Sequence, residues 1–182
     1  FRNEGTFELT QSGEALKDSV FDLDEPESVI ENSGSWISDP GDGEVLVEAP
    51  FANSGQVDVK SGQLSLTTGG KHSGSFRVRD GAKLFIRGNE HGAGTHTFEP
   101  GSQITGAGTV LFSDEDVVRG SVTADTVSVA HSLLVEGSLD VKALEGGFVQ
   151  VDGQANTDFL DARIGLSGTG DVVINEGGTL TN

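Results

Sequence analysis

The chain has 182 residues, 27 of them glycine, and 29 acidic against 11 basic residues, for a net charge of −18. That length suffices for one domain with a real core, and the charge excludes unspecific binding to nucleic acid, whose phosphates it repels. The lack of cysteine excludes disulfides and thiolate metal sites, and no apolar run reaches the roughly 18 residues of a membrane-spanning helix.

Taken in chain order, short strands recur. Gly5-Phe7-Leu9, Gly55-Val57-Val59, Gly62-Leu64-Leu66, Gly74-Phe76-Val78, Gly108-Val110-Phe112, Gly137-Leu139-Val141, Gly147-Val149-Val151 and Gly170-Val172-Ile174 all read glycine, x, apolar, x, apolar. Each is a turn residue feeding a strand with one apolar face. Such a unit cannot bury that face alone, so many in series predict stacking. A longer motif, apolar-x-Asn-x-Gly-x-apolar, starts at Phe1, Ile30 and Phe51. Asn-x-Gly suits a tight corner because both residues tolerate positive φ, and in stacked coils the asparagine amides can form a ladder. The first interval is longer than the second, which leaves room for an insertion within residues 16–26. Gly13 to Leu23 is the one tolerable helix candidate. After Gly81 the alternation shifts by one residue at Leu84 and Ile86, which predicts a bulge or a new corner, and residues 88–97 read as a glycine-rich turn before Phe98.

These elements predict an all-β chain: a single solenoid module over residues 1–182 with coils of roughly 20 residues. Residues 1–50 are expected to form an irregular acidic N-terminal part or cap. A β-sandwich is the alternative. Val57, Leu64, Leu66, Phe76, Val78, Leu84, Val110, Val127, Val129, Leu139 and Val149 should point inward. Starting without methionine, the chain is read as a piece of a longer protein.

Asn53-Ser-Gly-Gln-Val-Asp-Val-Lys-Ser-Gly-Gln-Leu-Ser-Leu66, Thr105-Gly-Ala-Gly-Thr-Val-Leu-Phe112 and Gly168-Thr-Gly-Asp-Val-Val-Ile174 resemble repeat segments of secreted bacterial β-helix proteins such as autotransporter passengers and filamentous adhesins. The likeness covers most of residues 51–182. It implies a right-handed parallel β-helix, export to the cell surface, and adhesion or a structural stalk. The acidity and the lack of tyrosine depart from the pattern.

Charge is unevenly placed. Lys60, Lys71, Arg77, Arg79, Lys83 and Arg87 fall within residues 60–87, opposed there only by Asp80, whereas residues 14–48 hold eleven acids against Lys17. The basic set is either balanced by neighbouring coils or forms a docking band for an anionic partner. Asp39, Asp42 and Glu44 surround two glycines and are the best calcium candidates, although a solvated acidic turn is the better reading of them. The His91–His96 spacing of five is not a zinc signature. Among enzyme motifs, Gly-x-Ser-x-Gly, Gly-x-Gly-x-x-Gly, the P-loop and His-Glu-x-x-His are all missing.

The expected function is therefore a non-catalytic extracellular module of a surface protein, monomeric as isolated. It would act as a rigid spacer or a contact surface for a glycan, a protein or its own copies. The alternative is a polysaccharide lyase or glycoside hydrolase built on the same coils, which two carboxylates facing across a deep groove would favour.

Overall fold

The computed structural model describes residues 1–10, 29–87, 94–151, 154–164, 172–174 and 179–181. In chain order the strands are β1 (Arg2–Asn3), β2 (Thr6–Thr10), β3 (Ile30–Asn32), β4 (Ser35–Asp39), β5 (Glu44–Val47), β6 (Phe51–Asn53), β7 (Gln56–Val59), β8 (Gln63–Leu66), β9 (Gly70–His72), β10 (Ser75–Val78) and β11 (Lys83–Ile86). Then come β12 (His96–Phe98), β13 (Gln103–Phe112), β14 (Glu115–Val118), β15 (Ser121–Val135), β16 (Ser138–Val151), β17 (Gln154–Ile164), β18 (Val172–Ile174) and β19 (Thr179–Thr181). Every pairing among them is parallel, and they stack as a β-solenoid. A β-sandwich, which rests on antiparallel pairs, is ruled out.

Three ladders run along the axis. The first joins β1, β3, β6, β9, β12 and β14, then the ends of β15 and β16, then β18. The second joins β2, β4, β7, β10 and the starts of β13, β15, β16 and β17, ending on β19. The third joins β5, β8, β11, the end of β13 and the later parts of β15, β16 and β17. Stacked asparagines lie 29 and then 21 residues apart, while the Arg119–Glu136 pair between later coils spans 17. As the coils tighten, the strands lengthen and run around the corners, with register shifts at Gly106/Thr109 and Val129/Ser132.

Alternation puts every second side chain inside. All eleven positions expected to point inward are buried, together with Trp36, Phe51, Phe98, Ile104, Phe112 and Leu133. Each fully buried Val, Leu or Phe contributes about 1.5–3 kcal/mol of transfer free energy, so the core is one long narrow stack. The apolar pairs of all eight glycine-led segments lie on strands. Residues 1–10 and 30–50 share the ladders of the rest, in register with the coil of Phe51–Leu66. The shift after Gly81 is a corner: Gly81 has φ of +76°, and Leu84 and Ile86 pair directly with Leu64 and Leu66. The insertion and the helix candidate within 11–28 fall outside the described residues, as does most of the turn at 88–97.

Candidate functional site

The Asn-x-Gly copies stack in register, as Asn3↔Asn32↔Asn53. Asn3 Nδ2 donates to Asn32 Oδ1 at 2.7 Å, and Asn32 Nδ2 to Asn53 Oδ1 at 2.8 Å. Their second protons go to the carbonyls of Ser35 and Gln56. The amides are buried yet satisfied, as a low-dielectric interior demands. The glycine two positions on is needed for a different reason from the one expected. Gly34 and Gly55 do not have positive φ; instead, a Cβ on either would lie 2.1 Å from the carbonyl oxygen of the equivalent glycine one coil earlier. The coils approach too closely there for any side chain.

The same column continues through His72, which pairs with Asn53, and Phe98, which pairs with His72. Sequence reasoning missed this fourth copy. Gly70-Lys-His-Ser-Gly-Ser-Phe76 keeps the glycine and final apolar residue of the motif, but histidine replaces asparagine and glycine replaces the first apolar residue. His72 and His96 are both fully buried, with rings stacked at 11° and His72 Nε2 2.9 Å from His96 Nδ1. The Gly69 N–H donates to His96 Nε2 at 3.1 Å. Nε2 of His96 is therefore an acceptor, its proton sits on Nδ1, and that proton points at His72 Nε2. His72 in turn carries its proton on Nδ1, which is buried with no hydrogen-bond partner. Burial pushes the His72 ring well below the usual histidine range, with His96 beside it acting in the same sense. His96 is lowered to about 4 by burial, against the opposing pull of the Arg87 and Leu66 carbonyls.

One coil further, Asp116 is 1% exposed. Its Oδ1 accepts the His96 backbone N–H at 3.1 Å, and its Oδ2 is enclosed without a partner. Burial pushes this carboxyl up to about 7, helped by the charge of Asp114 and opposed by the His96 amide. Nothing in the spacing of His72, His96 and Asp116 along the chain announces the cluster, because coils of unequal length bring them together.

The six basic residues do not share one face. Lys71 is on β9, Arg77 and Arg79 on or just after β10, and Lys83 and Arg87 around β11, so these five ring one coil, while Lys60 follows β7 on the coil before. Arg79 grips Asp58 with two bonds of 3.0 and 2.7 Å, and Lys60 lies 3.4 Å from Glu8. Asp58 is held below the usual carboxylate range, chiefly by the Arg79 bond and further by the charges of Arg77 and Lys60. Arg87 stacks 5.8 Å from the Phe85 ring, its Nε enclosed without a partner. Neighbouring coils thus balance part of the band. Asp39 accepts from Ser61, and Glu44 from Ser65 and Gln63, on the following coil, while Asp42 is exposed on the turn between them. Among the described residues no three acids or histidines gather as a metal site.

Outside the core one column is free of charge: Thr6, Ser35, Gln56, Ser75, Gln103, Ser121 and Ser138 follow one another in register, and the strand positions paired on from them are Gln154 and Thr179. Beside the glycine corner it borders an open groove of about 580 Å³, which Ser33, Ser54 and Ser73 line on the other side. A second groove of about 430 Å³ carries the Arg2–Glu31 ion pair at 2.7 Å, with Glu4 and Lys71. No family model, curated protein or solved structure matches this chain.

Proposed function

We propose that the chain is a non-catalytic module of an extracellular surface protein, a rigid spacer whose uncharged polar column is a contact face for a neutral glycan. The observation behind this reading is that column. On a chain of net charge −18, an uncharged series of hydroxyls and amides follows the axis beside a groove. Side-chain amides and hydroxyls match the donors and acceptors of sugar hydroxyls, and an extended polymer can meet several coils at once, so that weak contacts add. The parallel stack supplies stiffness. The resemblance to adhesin repeats supports the same reading as analogy.

The test is affinity electrophoresis through neutral and acidic polysaccharides, together with an assay for new reducing or unsaturated sugar ends. Retardation by a neutral polymer, abolished in Gln56→Glu/Gln103→Glu, is expected, with no cleavage. Cleavage products would establish the enzyme reading instead, and retardation that survives the double substitution would remove the column from the contact face.

A further inference from the structure

The histidine pair is wired so that it has no place for another proton. Accepting nitrogens occur at two points only, His96 Nε2 and His72 Nε2, and each already receives a proton, from Gly69 N–H and from His96 Nδ1–H respectively. Protonating either one turns donor-to-acceptor into donor-to-donor inside a sealed core.

The surroundings offer no anion in compensation, only the Arg87 and Leu66 backbone carbonyls, which favour the charged His96 ring without offsetting its burial. Asn53 on β6 does not ionise. Lys71 on β9 and Arg77 on β10 are cationic and exposed, and Arg87 after β11 is a half-buried cation. Glu115 on β14 is exposed and Glu99 after β12 is half-buried. Asp116 is buried against the His96 backbone, and its own carboxyl takes up a proton near neutrality rather than serving as a counter-charge.

We propose that His72 and His96 form a proton-operated latch: one added proton undoes the Gly69–His96–His72 relay and lets the coil of β9 part from the coil of β12. The rings bridge these two coils and add a buried side-chain tie to the backbone ladder that joins β9 to β12. Parting there opens the first ladder at one defined place, while the second and third ladders still join the same coils through β13. The latch is independent of what the outer faces contact.

The sign follows from the rings being depressed. An opened histidine takes up its proton near the ordinary 6.5, whereas closed His96 resists to about 4. Opening is therefore unaffected above 6.5 and grows as pH falls below it, by about thirty-fold at pH 5 for His96 alone, with His72 adding in the same sense. Asp116 pulls the other way, since its closed form gains a proton between about 7 and 3.8. By the same arithmetic Asp116 opposes opening by about seventy-fold between pH 7.5 and 5, more than His96 alone supplies, so acceleration in the natural chain rests on His72 as well and is larger in Asp116→Asn.

Two measurements decide. Ring-nitrogen NMR of the unaltered protein should show both histidines as Nδ1–H tautomers, with neither titrating near 6.5. Amide exchange of residues 69–72 and 94–98, corrected for intrinsic rates, should accelerate between pH 7.5 and 5. The acceleration should reach thirty-fold or more in Asp116→Asn and vanish when His72→Asn and His96→Gln are added. An Nε2–H tautomer at His96, a ring titrating near 6.5, or acceleration that persists without the histidines would overturn the latch. The ring spectra decide alone if the triple variant does not fold.

Discussion

Replacing Gly55 by alanine tests whether close coil approach, rather than turn conformation, fixes the glycines of the first corner. A Cβ there would lie 2.1 Å from the Gly34 carbonyl oxygen and 2.6 Å from the Ser33 carbonyl carbon. Ordinary contact begins near 3.4 Å, so the coils must separate locally by more than 1 Å against their own ladder hydrogen bonds. Both obstructing atoms belong to backbone, so no side chain can swing aside. Overpacking in a well-packed core costs about 1–3 kcal/mol, and this case belongs at the top of that range, at about 3 kcal/mol. Gly5→Ala is the internal control. It has the same motif position, but its added Cβ meets nothing within 4 Å, so the change should be neutral or stabilise by about 0.4–1 kcal/mol through the unfolded chain. Urea unfolding followed by the fluorescence of Trp36, the single tryptophan and fully buried, gives both values. Equal losses of stability in Gly5→Ala and Gly55→Ala would refute the reasoning, because turn conformation would then be what both glycines supply.

Asn32→Ala removes an acceptor for Asn3 and a donor to Asn53 and to the Gln56 carbonyl; it should cost about 3 kcal/mol in the same urea assay. Asp116→Asn should raise stability by about 4 kcal/mol at pH 8, where the buried carboxylate is charged in the natural chain. The gain should shrink progressively as pH falls from 7 toward 3.8, since below that both forms are neutral. Arg79→Ala, at a partly exposed ion pair, should cost no more than about 1 kcal/mol and less in high salt.

The fold was legible because period-2 alternation fixes which face is buried, and glycine spacing fixes where each strand begins. Val57 through Val149 could be placed inside without knowing which coil they met. The Asn-x-Gly copies were legible as a ladder, though their glycines serve a contact between coils that no local rule reports. β5 was hidden, since Glu44-Val-Leu-Val47 follows an acidic Pro-Gly turn and reads as its continuation. The histidine pair was hidden for a deeper reason. Which residues meet across coils depends on the lengths of the intervening turns, and the segment between β11 and β12 breaks the regular spacing that joined the asparagines. Five of the six basic residues are spread on the same ground, because closeness in sequence within one coil distributes them around its circumference.

The inward column of the first ladder runs Asn3, Asn32, Asn53, His72, Phe98, Val118 and Val135. Valines stacked on valines are interchangeable, and a solenoid made only of them could mispair one coil along during folding with little penalty. The amides forbid this at the other end. A slip of one coil would set Asn53 against Phe98, leaving its amide enclosed with no acceptor, at about 1–3 kcal/mol for each group so stranded. The asparagines and histidine thus act as an address on each coil, readable only by the coil meant to lie beside it.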